Sequence, residues 1–191
     1  MPPMKKFPLQ LKSSGFTLLE LMITITVLAI LLGIGVPSYQ DAIRQNRLAT
    51  TTNDLLASVA VARSEAVKRG TLVTICPANN NQTDCAVNDQ WSNGWIVFAD
   101  AKGTVGRVNI GGAGVDDLII QRSPPATAAK VTITNPGVNQ LSYRGDGGAN
   151  MPPATTMLFV LVPQGCVNPN GARRVLVNTA GRAIATRVNC S

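Results

Sequence analysis

Histidine is missing from all 191 residues. The commonest general base and metal ligand is therefore unavailable, and most hydrolase and metalloenzyme chemistries lose their usual proton carrier. None of the four cysteines (Cys76, Cys85, Cys166, Cys190) stands in a CxxC pair, which speaks against a zinc site. Ser123 and Ser142 lie in no nucleophile elbow, and a triad would need the missing histidine. The run Gly145-Asp146-Gly147-Gly148 is not followed by the Lys and Thr of a phosphate loop. Asp116-Asp117 reads as a solvated strand start rather than a paired acid site, because successive strand residues point to opposite faces. Low-complexity tracts are absent and aromatics make up only 4%. These absences point away from an enzyme, and no catalytic residue, metal or cofactor is expected.

Acid is also unevenly missing. The first fifteen residues hold Lys5, Lys6 and Lys12 with no Asp or Glu. Residues 16–146 carry ten basic and ten acidic side chains. From Gly147 onward stand Arg173, Arg174, Arg182 and Arg187 with no acid at all. Past the leader, the surplus behind the net charge of +7 thus sits in the last segment, where it can attract polyanions or acidic partners or form the solvated face of a strand pair.

What the sequence does have is one long apolar run. Phe16 to Val36 reads FTLLELMITITVLAILLGIGV, with Glu20 its one charge. As a helix it spans roughly 30 Å, enough to cross a bilayer core. Lysines precede it, so the positive-inside rule puts the N-terminus in the cytoplasm and the rest of the chain across the membrane. A secretory signal peptide would have a shorter core with its cleavage site behind it. A plain anchor would have no use for Glu20, since a carboxylate in a spanning helix costs about 2.5–3.5 kcal/mol unless partnered.

Lys5-Lys6 followed by Ser13-Ser14-Gly15-Phe16-Thr17-Leu18-Leu19-Glu20-Leu21-Met22 resembles the leader and junction of type IV pilins and type II secretion pseudopilins. The resemblance implies cleavage by prepilin peptidase between Gly15 and Phe16, N-methylation of Phe16, and an assembly role for Glu20 through the N-terminal amine of a neighbouring subunit. It places the chain in the bacterial inner membrane as a single-pass protein with a periplasmic C-terminal domain, and later in a pilus or pseudopilus.

Beyond Val36 the pattern stays helical. Gly33, Gly35 and Pro37 are expected to weaken and break or kink the helix. Past them Ile43, Leu48, Leu55, Val59, Ala62 and Ala66 recur at helical spacings, with Leu56 and Val67 widening the stripe and Gly70 as the stop. From Thr71 the period changes to short β runs at 71–76, 95–99, 117–121, 130–134, 157–162, 173–178 and 182–188. Turn signals separate them: Asn79-Asn80-Asn81, Gly111-Gly112, Pro124-Pro125, Asn135-Pro136-Gly137, Gly145 to Gly148 and Asn168-Pro169-Asn170-Gly171. Trp91 and Trp95, around Ser92-Asn93-Gly94, read as core and turn packing. The expected fold is α+β, a long N-terminal helix whose second half packs on an antiparallel sheet. The expected organisation is a leader (1–15), a transmembrane segment (16–36), an amphipathic helix (37–70) and a β domain (71–191).

With all four cysteines beyond the span, disulfides are the default. Four cysteines can pair in more than one way; the favoured pairing joins Cys76 to Cys85 around the Asn-rich loop and Cys166 to Cys190 at the chain end. Ala62-Arg63-Ser64-Glu65-Ala66, Val73 to Cys76, Trp91 to Phe98 and Gly181-Arg182 resemble the GspH/FimT group of minor pilins and pseudopilins. That likeness implies a low-abundance subunit that helps initiate or cap a pilus or a type II secretion pseudopilus. Its partners would be other pilin subunits, the peptidase and the inner membrane. Some FimT-like members bind double-stranded DNA during natural transformation through a Gly-Arg-x-Arg motif. Here Gly181-Arg182-Ala183-Ile184 lacks the second arginine, and Arg187 has the opposite strand parity to Arg182. The alternative expectation is a pilus-associated receptor for DNA uptake, using Arg173, Arg174, Arg182 and Arg187 as one basic patch.

Overall fold

A computed structural model describes residues 15–86, 91–100, 117–129, 131–134, 140–151, 156–167 and 169–190. The leader up to Ser14, the turn signals at Gly111-Gly112 and Asn135-Pro136-Gly137, and Asp116 and Asn168 lie outside the described residues. One helix, α1, runs from Leu18 to Arg69 over 52 residues. The helical assignment continues through Pro37, where a break or kink was expected. A proline removes a single backbone bond, and the helix beyond it is secured by burial of its own apolar stripe. The chain divides into two compact units, residues 1–41 and 42–191.

In the first unit the helix exposes its aliphatic side chains all round. Leu18, Leu21, Ile25, Leu28, Leu32 and Val36 are each about half exposed or more. A helix apolar on every side has no polar face for water, which is the signature of a segment surrounded by lipid. It is long and apolar enough to cross a membrane.

In the second unit the stripe is buried. Leu48, Leu55, Ala62 and Ala66 are fully enclosed, while Val67 is 54% exposed and does not widen the stripe as expected. Thr52 and Ser58 are buried among them because each hydroxyl donates to the carbonyl four residues back, Leu48 and Asp54, which satisfies the polar group inside the helix. Gly70 ends the helix with φ +65°, and its N–H donates to the Ala66 carbonyl.

Eight strands follow: β1 (Leu72–Pro77), β2 (Trp95–Asp100), β3 (Leu118–Arg122), β4 (Val131–Thr134), β5 (Leu141–Tyr143), β6 (Met157–Pro163), β7 (Ala172–Val177) and β8 (Ala183–Val188). They form two four-stranded antiparallel sheets, ordered β3-β2-β1-β5 and β4-β6-β7-β8, where the sequence suggested one. The second sheet shows the clean alternation of a one-sided sheet: Met157, Phe159 and Leu161 are enclosed while Leu158, Val160 and Val162 are half-buried. In the first sheet β1 and β2 are buried on both faces. One face joins the helix core, and the other makes a second cluster of Cys76, Ala78, Ile96 and Phe98. On that second face the Thr74 and Ser142 hydroxyls pair at 2.7 Å.

The core binds the helix to both sheets. Leu55 and Val59 belong to the same cluster as Ile75, Val97, Phe159 and Val175. Trp91 sits in a short 3-10 turn, Trp91–Asn93, and its ring meets Phe159 edge-on with centroids 4.8 Å apart. Gly94 follows with φ +95°, and a Cβ there would strike the Ser123 carbonyl. Asp117 is buried rather than solvated, contrary to the sequence expectation, because it lies just before β3 against the doubly covered β2.

Candidate functional site

Three features bear on function: the helix start, the arginine-bearing end of the second sheet, and the junction between the sheets. At the helix start, Thr17 is the N-cap. Its Oγ1 accepts the Glu20 backbone N–H at 3.2 Å, and its carbonyl accepts the Leu21 N–H at 3.1 Å. Thr17-x-x-Glu20 is the spacing of a capping box, which sets the first turn and fixes Glu20 at its third position. Glu20 is exposed there, beside Phe16 at the foot of the apolar segment.

The four C-terminal arginines do not form one patch. In the β7–β8 hairpin, Arg173 stands directly opposite Arg187, and Arg174 opposite Thr186. Directly opposed residues share a sheet face, and neighbours along a strand take opposite faces. Arg173 and Arg187 therefore lie together on the face that carries Val175 and Val177, whereas Arg174 lies on the other. Arg182 sits at the hairpin end, where its N–H is held by the Asn178 Oδ1 at 2.9 Å. The expectation of a single four-arginine patch is corrected by strand parity.

Arg173 and Arg187 instead line a cleft of about 520 Å³. Its floor is the helix at Gln45, Asn46 and Ala49, and its wall is the turn Pro169-Asn170-Gly171. Helix and turn are tied together: Gln45 Nε2 donates to the Gly171 carbonyl at 3.3 Å, and Arg44 Nη1 to the Gly165 carbonyl at 3.4 Å. Arg173 is half-buried and donates to the carbonyls of Ala172 and Asn170, at 3.1 and 3.4 Å. Burial, and secondarily the charge of Arg187, lower its pKa from the ordinary arginine value.

A family model described as the type II transport protein GspH matches residues 51–181, more than half of the chain, and a prokaryotic N-terminal methylation motif matches residues 11–36. The chain belongs to the GspH family. Prepilin peptidase-dependent protein D of Escherichia coli K12 is 28% identical over 104 residues, 54% of this chain and 70% of that protein. The solved structure of the type IV minor pilin FimU of Pseudomonas aeruginosa PAO1 shares the fold, with a TM-score of 0.51 at 22% identity, over 74% of this chain and 89% of that one. The fold of this GspH-family chain is thus pilin-like, a long N-terminal helix packed on antiparallel sheets.

In this GspH-family chain, two of the residues that carried the family likeness, Arg63 and Gly181, meet at one joint. Arg63 Nε donates to the Gly147 carbonyl at 2.9 Å, linking the helix to the turn after β5. The Tyr143 hydroxyl donates to the Gly181 carbonyl at 3.3 Å, and the Ala149 N–H to the Thr179 carbonyl at 3.0 Å, linking that turn to the β7–β8 hairpin. Burial pushes the Tyr143 phenol far above its usual range, so it stays a donor at any physiological pH. Glu65 is half-buried near the helix end, paired with Arg69 and Lys68, and the Arg69 hydrogen bond lowers its pKa. Ser123 is buried against the Ser58 hydroxyl at 3.4 Å. Among the described residues no group of His, Cys, Asp or Glu is arranged to hold a metal ion.

Two disulfides join Cys76 to Cys85 and Cys166 to Cys190. The first closes the loop between β1 and the turn before β2, where Ala78 and Cys85 bridge backbones. The second ties the residues after β6 to those after β8. Replacing Cys76 and Cys85 together by serine is expected to destabilise the globular unit by about 2–3 kcal/mol, given the short loop. A thermal melt by circular dichroism should show this as a midpoint lower by about 5–10 °C; an unchanged midpoint would contradict it.

The sequence reading missed β5, the sheet junction and the cleft. The cleft had a readable signal: a hairpin turning at Thr179 to Gly181 places Arg173 opposite Arg187 by counting. Its helical floor had none, because Gln45 and Asn46 look like any solvated helix face.

Proposed function

We propose that the chain is a minor subunit of a type IV pilus or of a type II secretion pseudopilus, held first in the inner membrane and helping to initiate or cap the fibre. The observation that carries this reading is the exposed apolar helix opening on Glu20. An all-apolar stem needs lipid or neighbouring stems around it, and a carboxylate at its foot needs a cationic partner. A neighbour's Phe16 amine would supply that partner once prepilin peptidase has cut after Gly15 and methylated the new terminus. The N-terminus would start in the cytoplasm and the globular unit in the periplasm, where its two disulfides form readily. The alternative of a DNA-uptake receptor would have to use arginines divided between two sheet faces, since Arg173 and Arg187 share one and Arg174 occupies the other.

Processing gives a direct test. Exchange of Gly15 for leucine should block leader removal, and intact mass spectrometry of the membrane fraction should then show the fifteen leader residues retained. Normal maturation of Gly15→Leu would count against the assigned junction.

A further inference from the structure

Two like charges, and no Asp or Glu among the described residues, line the cleft between helix and hairpin. Arg173 and Arg187 face each other across the β7–β8 ladder. Like charges placed directly opposite on a sheet destabilise it, and burial of one of them adds to the cost. The Arg187 side chain is exposed where it lines the cleft, so its guanidinium is within reach of a ligand. Asn46, on the helical floor, is likewise exposed.

We infer that this cleft binds a carboxylate side chain presented by a neighbouring subunit of the fibre. The occupant rests on the reading of the chain as a fibre subunit; the anion preference rests on the cleft alone. A carboxylate accepts from two guanidinium groups at once, and such charge-assisted bonds are stronger than neutral ones. Its charge also cancels the repulsion between Arg173 and Arg187. The arrangement favours a side chain over a nucleic-acid duplex. Arg187 is exposed and Arg173 half-buried beside the Asn170 turn, and Arg174, which could have extended a phosphate track, is on the opposite sheet face. The Gln45–Gly171 hydrogen bond ties the wall of the cleft to its floor before anything binds, which limits the ordering cost of capture.

The test uses the full chain in detergent micelles, titrated with hexaglutamate and separately with a short blunt DNA duplex. Hexaglutamate should bind and raise the melting midpoint. R187Q should weaken it by about tenfold, the loss of one charge-assisted contact, and the double variant R173Q/R187Q should abolish it. R187Q alone should melt no lower than the parent protein, which guards against misreading an unfolded variant. Equal hexaglutamate binding by the double variant would overturn the proposal. So would duplex binding that displaces hexaglutamate through the same two arginines. In cells, R187E should be processed normally but be depleted from sheared fibres; normal incorporation would overturn the neighbouring-subunit occupant. If the parent chain itself is absent from fibres, the subunit reading fails, and the peptide titration still decides what the cleft binds.

Discussion

Glu20→Ala is expected to leave membrane insertion intact and to remove the chain from fibres. The magnitudes explain why the two effects separate. At the third position of a helix a carboxylate gains about 0.3–1 kcal/mol from the helix dipole. Placing it among lipid tails costs about 2.5–3.5 kcal/mol, so the helix alone does not compensate it. Removing it therefore makes insertion easier, not harder. In a fibre the balance reverses. Taking away one partner of a desolvated pair costs about 3–5 kcal/mol, because the other charge stays behind uncompensated. Incorporation should then fall by about a hundredfold or more. Glu20→Gln should behave alike, since it keeps the size and the Thr17 cap but loses the charge. Immunoblots of sheared fibres against membranes would measure it; normal incorporation of both variants would remove Glu20 from assembly.

Gly181→Ala should destabilise the globular unit strongly, while Arg182→Gln next to it should barely matter. Gly181 holds φ +77°, a conformation that disfavours any Cβ, and an added Cβ would press on the Gly147 carbonyl and the Tyr143 ring. The left-handed backbone and the overpacking together should cost about 2–4 kcal/mol. The Arg182 side chain is exposed, and the bonds it makes to Asn178 are backbone ones: its N–H donates to Asn178 Oδ1 and its carbonyl accepts the Asn178 N–H. The contrast assigns the glycine of the Gly-Arg pair a structural task, closing the joint of Arg63, Tyr143 and Gly147. Urea unfolding of both variants would measure it. A stable Gly181→Ala variant would mean that the joint yields more than its contacts suggest.

The helix and most of the strands were legible in the sequence because each follows a period. The apolar stripe at Leu48, Leu55, Val59, Ala62 and Ala66 is buried as its spacing requires. The strands at Trp95–Asp100 and Met157–Pro163 fall where β-branched and aromatic residues cluster between turns. β5 escaped because Leu141–Tyr143 is too short to show a period. The split into two sheets escaped because it depends on which strands pair, and pairing is set by long-range contacts rather than by local pattern. Asp117 misled for a similar reason: its burial comes from neighbours far along the chain. The junction Gly15-Phe16 to Glu20 was the most legible part of the site, since a lone charge in an apolar run stands out. The Arg173–Arg187 pair was legible only through strand register, and its meaning only after the helix face opposite it was known.

The most direct measurement is intact mass spectrometry of the chain recovered from sheared fibres of cells that express it. The account predicts a polypeptide that begins at Phe16, carries one added methyl group and contains two disulfides. Recovery only from the membrane, with residues 1–15 still attached, would contradict it.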